Sequence, residues 1–264
     1  MPSYAITGAS KGIGREFVRQ LAQSPSNTVL ALVRDPESPG IKALAESHPN
    51  VHIVKADTTD PQSILAAAEQ ASAILGGKLD VFIHNSNSVD LSTFSLPPSK
   101  VPFDVEETRK FYEEPLKTAV YGGAWATNAF LPLIEKGELK KIAHITSSMA
   151  QPEVILGAGV DYAVAYSIAK AGMNVQVAKY AAELAPKGIK TVAICPGWVD
   201  THEGPKPPQL VEATEVMLNQ FRKIEPDLKG QITAEESVSQ QLRVIDALDA
   251  ARSGTTIRAR FFEG

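Results

Sequence analysis

Residues Tyr4-Ala-Ile-Thr-Gly-Ala-Ser-Lys-Gly-Ile-Gly14 decide how the rest of the chain is read. The apolar run before Gly8 reads as a short buried strand, and a helical pattern from Arg15 to Ala22 follows the glycines directly. Glycine allows the sharp turn that such a strand-to-helix connection needs, and it lets a ligand come close to the backbone. A helix starting there points its free amides into the turn, which suits a pyrophosphate. The spacing Gly8, Gly12, Gly14 is not the G-x-G-x-x-G of many dinucleotide-binding turns, so the turn alone does not name its ligand.

Working outward, strand-like runs at 3–7, 28–33, 51–56, 79–84, 140–146, 189–194 and 255–261 alternate with helical patterns such as 61–75 and 162–185. That alternation predicts an α/β fold of Rossmann type, a doubly wound parallel sheet with its ligand at the carboxyl ends of the strands. No linker or repeat divides the chain, so residues 1–264 are expected to form a single domain. Prolines 97, 98 and 102, and prolines 205, 207 and 208, interrupt the rhythm. Loops around 86–104, 149–161 and 202–233 are therefore expected to shape a substrate pocket.

Composition excludes more than it selects. With 26 basic and 30 acidic residues, nothing points to nucleic acid or to an anionic membrane surface. The single cysteine, Cys195, excludes an internal disulfide and sits in an apolar strand, as a packing residue does. No leader and no bilayer-length apolar run is present, which predicts a soluble cytoplasmic protein without a membrane partner. His84 and His144 lie in apolar strands without ligand-spaced neighbours, so they read as core or supporting residues and no metal is expected.

Chemistry enters with Tyr166-Ser-Ile-Ala-Lys170. Four residues apart on a helix, both side chains share one face. A free phenol ionises near pH 10, and a fixed ammonium beside it favours the phenolate. Such a pair can pass a proton to or from an alcohol or carbonyl oxygen. Thr7-Gly-x-x-x-Gly-Ile-Gly14 followed by this pair resembles the short-chain dehydrogenase/reductase family. The likeness extends to Gly77-Lys-Leu-Asp-Val-Phe-Ile-His-Asn85, to Ile142-Ala-His-Ile-Thr-Ser-Ser148 and to Ile189-Lys-Thr-Val-Ala-Ile-Cys-Pro-Gly-Trp-Val-Asp-Thr201. At the tail, Ala234-Glu-Glu-Ser-Val238, Leu242 to Leu248 and Ser253-Gly254 resemble C-factor-type carbonyl reductases.

The resemblance implies an enzyme that reduces a ketone or aldehyde of a small organic molecule with NADPH. Tyr166 would be the acid, Lys170 would tune it and hold the nicotinamide ribose, and Ser148, with Ser147 as second choice, would polarise the carbonyl. Gly8, Ser10, Lys11, Ile13, Arg34, Asp57 and Asn85 would complete the cofactor site, with Thr201 and the Val199 backbone on the carboxamide. Arg34 at the end of the second strand and Lys11 nearby favour NADP(H) over NAD, because two cations suit a 2′-phosphate; Asp35 weighs the other way. The same residues also serve alcohol oxidation, epimerisation and dehydration, and a cofactor-binding sensor or scaffold with lost chemistry is a further alternative.

Two departures from the family pattern stand out. His84-Asn85-Ser86-Asn87 replaces the usual Asn-Asn-Ala-Gly, and, in the helix expected over 113–131, Ala119 falls where a tetrad asparagine holds a water against the lysine. An insertion within 152–161 would absorb the long gap between Ser148 and Tyr166. Tyr162 reads as a pocket wall or packing residue. Met173, Val177, Ala181 and Leu184 form an apolar stripe that suits either the core or a homo-oligomer contact.

Overall fold

The apolar runs become strands of one parallel sheet. In the computed structural model, residues 1–263 are described. From β1 (Ser3–Thr7), the sheet grows one way through β2 (Thr28–Val33) and β3 (Val51–Lys55). It grows the other way through β4 (Val81–His84), β5 (Lys141–Ile145) and β6 (Lys190–Cys195) to a final strand near the carboxyl end. Two short strands, β7 (Val199–Asp200) and β8 (Ile232–Thr233), form a separate ladder, so the final strand is β9 (Thr256–Arg258). The order β3-β2-β1-β4-β5-β6-β9 reverses direction between β1 and β4, which opens a crevice at the carboxyl ends of those strands.

Parallel strands covered on both faces must be apolar on both, and these are. Tyr4, Ile6, Val29, Ala31 and Ile83 pack under α1 (Gly12–Ala22), α2 (Pro39–Ser47) and the late helix Ala234–Asp246. Ala5, Leu30, Leu32, Phe82 and Ile142 pack under α3 (Pro61–Leu75) and two further helices, Gly122–Ile134 and Val164–Leu184. Asp60 starts α3 by accepting the Gln62 N–H at 2.9 Å, which leaves Asp57 free for another task.

The expected loops carry more structure than their prolines suggest. Residues 86–104 include α4 (Leu91–Phe94), and the stretch after it forms α5 (Val105–Leu116). The helix expected over 113–131 is broken by a π-turn at Lys117–Tyr121 before α6 (Gly122–Ile134). Pro115 lies inside α5, where its ring and missing N–H disturb the regular ladder, and the wider turn follows it. Residues 149–161 contain α7 (Pro152–Ala158), which precedes α8 (Val164–Leu184), and 202–233 contain α9 (Pro208–Phe221), leaving Ala234–Asp246 as α10.

The strand expected over 255–261 stops at Arg258, because its register with β6 ends at the Cys195 pair. On α8, Met173, Val177 and Leu184 are buried within this chain, so the stripe belongs to the core. Among the described residues no helix is long and apolar enough to cross a membrane.

Candidate active site

The glycine turn is held by its neighbours. Gly8 and Gly12 adopt φ of +65° and +53°, a region that favours glycine. A side chain on Gly14 would run into the Gly8 carbonyl and come 2.6 Å from Asn85 Nδ2. Asn85 Nδ2 donates to the Thr7 and Gly8 carbonyls at 3.2 and 3.3 Å, tying the turn to the end of β4. The first turn of α1 contains no acid, and Lys11 at its start makes no side-chain cap. Its amides are therefore left for an anion, and a pyrophosphate fits the cradle.

Beyond the turn, Arg34 and Lys11 are exposed and border the same cavity, of about 580 Å³. The Asp35 carboxylate instead accepts the Glu37 N–H at 3.0 Å and does not border it. Asp57 accepts the Thr59 N–H and hydroxyl at 2.9 and 2.8 Å. Partial burial pushes its carboxyl up, but those bonds and the Arg34 charge hold it below the usual carboxylate range. Ser10, Ile13, Val199 and Thr201 line the cavity as well, with Thr201 Cβ 3.3 Å from where a Gly12 Cβ would stand.

β5 delivers the two serines to the other end of the cavity, where Tyr166 and Lys170 also sit. The Ser147 hydroxyl hydrogen-bonds the Tyr166 phenol and also accepts the Met149 N–H, at 3.2 Å. Ser148 turns away: its N–H donates to Cys195 Sγ at 3.1 Å, and its hydroxyl bonds the same sulfur. The preference for Ser148 over Ser147 is thus reversed. Ser147 is still extended, at φ −150° and ψ 148°, whereas Ser148 opens a tight turn, so the two side chains leave the strand end in different directions.

A second correction concerns the phenol. Tyr166 is partly open to the cavity, yet its packed surroundings push its pKa up to about 12, with the Ser147 bond pulling the other way. Lys170 does not lower it. Its Nζ lies 5.8 Å from the ring centroid and donates to the Ile145 carbonyl at 2.7 Å. Burial brings Lys170 itself down to about 8. Desolvation therefore outweighs the attraction that the four-residue spacing promised.

The lobe beside Tyr166 is apolar. Phe94 from the first loop, Met149 and Val154 from the second, and Met217 and Phe221 from the third line it with Trp198. Tyr162 packs against Phe94 and donates its hydroxyl to Gln220 Oε1 at 3.2 Å, so it is a packing residue. Arg258, Arg260 and Phe261 also border the cavity, which no spacing or periodicity in the tail signals. Ala119 packs with Ala169 and Met173, an apolar setting with no room for an amide's hydrogen bonds. Among the described residues no group of histidine, cysteine and carboxylate side chains could hold a metal.

A short chain dehydrogenase family model matches residues 3–206. A short-chain dehydrogenase/reductase of Arthrinium sp, atnB, is 42% identical over 97% of each chain. AacuF of Aspergillus aculeatus, of the same description, is 40% identical over 93% of this chain and 92% of its own. Among solved structures, the NADPH-bound carbonyl reductase from chicken fatty liver superposes with a TM-score of 0.80 at 27% identity, covering 98% of this chain and 97% of that one.

Proposed function

This chain belongs to the short-chain dehydrogenase family of oxidoreductases, and we propose that it reduces a ketone or aldehyde on an apolar small molecule with NADPH. The observation that carries this reading is one cavity joining the glycine turn and Arg34 to Ser147, Tyr166 and Lys170. The NADPH-bound state of the chicken carbonyl reductase supports the choice of cofactor.

When bound, the cofactor supplies a hydride to the carbonyl carbon. The α1 amides and Asn85-braced turn would hold its pyrophosphate, Arg34 and Lys11 its 2′-phosphate, and Asp57 its adenine end. Val199 and Thr201 would border the carboxamide. Ser147 donates a hydrogen bond to the substrate oxygen and draws charge onto it. Tyr166 then gives that oxygen its proton. A phenol held near 12 stays protonated across the ordinary pH range, which suits an acid better than a base and favours reduction over oxidation. The ammonium of Lys170 stabilises the phenolate left behind. Purified protein mixed with NADPH and a panel of ketones, aldehydes and quinones should oxidise the cofactor; no consumption with any of them would leave the sensor reading standing.

Cofactor selection provides a second check. NADPH should bind tighter than NADH by about tenfold or more, the worth of a charge-assisted phosphate contact, and Arg34→Ala should narrow the gap. Fluorescence titration giving equal affinities in the unmodified protein would overturn the assignment.

The pH dependence has a defined sign. Lys170 is charged below its folded value of about 8 and neutral above it. If the ammonium supports proton donation, kcat/KM for reduction falls as pH rises through about 8, while Tyr166, near 12, stays protonated. A profile flat to pH 10 would remove Lys170 from this role.

A further inference from the structure

Behind Tyr166 and Lys170, on the face of the sheet covered by α6 and α8, lies a polar group that no step above uses. His84 ends β4, His144 stands opposite it on β5, and both are fully buried with ring centroids 5.2 Å apart. Strand alternation settles the face, because Phe82 and Ile142, two residues earlier, pack in the core under those helices.

Hydrogen bonds assign the proton on His84. Thr7 Oγ1 accepts the N–H groups of Asn85 and Ser86, both at 3.0 Å, which uses its two lone pairs. Its own proton therefore goes to His84 Nδ1, 3.2 Å away, and His84 carries its hydrogen on Nε2. That Nε2 has no hydrogen-bond partner among the described residues; the Thr118 backbone, on the π-turn, is the polar group nearest in effect. His144 Nε2 meets Thr127 Oγ1 at 3.1 Å, and its Nδ1 is likewise unpaired among the described residues. Gly123 lies over both rings: a Cβ there would stand 3.5 Å from His84 Nε2 and from His144 Cε1.

Lys170 completes the set. Its one hydrogen bond goes to the carbonyl of Ile145, the residue after His144, and two further protons need acceptors. Burial first, and then the Lys170 charge among the groups around them, keep both imidazoles neutral at ordinary pH, His144 down to about 3. The other titratable groups facing the lysine are Tyr166 and Cys195, which burial also holds neutral. The π-turn adds no polar side chain of its own, since Ala119 is a methyl and the Thr118 hydroxyl donates to the Glu114 carbonyl.

Donors at His84 Nε2 and Lys170 Nζ, with acceptors at His144 Nδ1 and the Thr118 carbonyl, are the complement of a single water. We propose that His84 and His144 are positioning residues that hold such a water against Lys170, and that this water returns a proton to the lysine after each turnover. The proposal rests on Tyr166 being the acid. Tyr166 passes its proton to the reduced oxygen and recovers one from Lys170. The water protonates the lysine and is itself recharged from solvent at the cavity, which Thr118 borders. Overall, one carbonyl, one hydride from NADPH and one solvent proton give one alcohol.

His84→Leu and His144→Leu remove the polar nitrogens, and His84→Gln and His144→Gln restore an amide. The leucine variants should lose about tenfold in kcat, the rate equivalent of one buried hydrogen bond, with a larger solvent deuterium isotope effect and unchanged NADPH affinity. The glutamine variants should recover most of the loss. Leucine variants that melt like the unmodified protein and keep both its kcat and its isotope effect would overturn the proposal. If leucine prevents folding, Thr127→Val decides. It leaves both rings in place but frees His144, and an unchanged isotope effect there would also overturn the proposal. Tyr166→Phe, measured alongside, separates the two layers. Full turnover in that variant means the acid is misassigned; its loss with unaffected histidine variants means only the proton path is wrong.

Discussion

Tyr166→Phe should lower turnover by about 10²- to 10⁴-fold, the usual worth of a positioned general acid, while NADPH affinity changes little. The substitution removes one hydroxyl and leaves the ring. That ring packs near Phe94, at 6.4 Å between centroids, and within the apolar cluster of Met149 and Trp198, so phenylalanine fits the space. The partner it abandons is not stranded, because Ser147 still accepts the Met149 N–H at 3.2 Å. Stability should therefore hold, and a loss of rate can be assigned to the missing proton. Steady-state rates with NADPH, fluorescence titration of the cofactor and a melting curve test all three parts. An undiminished rate would remove Tyr166 from the acid role.

The contrast between what the residue pattern discloses here and what it hides has physical causes. Strands such as Val29 to Val33 are legible because a parallel sheet buried on both faces needs continuous apolar runs, and few other structures do. The glycine turn is legible because Gly14 has no tolerated replacement beside the Gly8 carbonyl and Asn85. The choice between Ser147 and Ser148 is not legible, since it depends on the residue at which the strand becomes a turn. Spacing placed Lys170 near Tyr166, but spacing carries no information on desolvation, and desolvation sets both pKa values. The histidine pair was hidden for another reason: its hydroxyl partners Thr7 and Thr127 lie 77 and 17 residues away in sequence. The tail residues Arg258 to Phe261 reach the cavity only because β9 closes the sheet beside β6.

Lys170→Met should separate function from stability, moving them by very different amounts. In the folded chain the ammonium is 2% exposed, and its pKa falls from 10.5 to about 8. A shift of that size costs the folded state of the order of 3 kcal/mol at neutral pH, because the charged form is less favourable inside than in the unfolded chain. The sign follows from proton counting. Between pH about 8 and 10.5 the unfolded chain binds the extra proton and the folded one does not, so stability rises with pH across that window. Below pH 8 both states are protonated and the penalty is constant. Methionine keeps much of the length and volume without the charge, which removes the penalty. Against that, the Ile145 carbonyl loses its 2.7 Å donor, at about 1–3 kcal/mol for a buried acceptor left unpaired. The two terms nearly cancel at pH 7, so denaturant unfolding should show little net change there. The rise in stability between pH 8 and 10.5 should shrink relative to the unmodified protein. Lys141, also lowered by burial, contributes equally to both proteins and drops out of that difference. Turnover should fall by about 10²-fold or more, since neither the phenolate nor the substrate oxygen then has a cation behind it. A methionine variant that keeps its turnover would show that the charge buried at this position serves no catalytic purpose. One that keeps the full rise in stability would show that Lys170 is not the group titrating in that window.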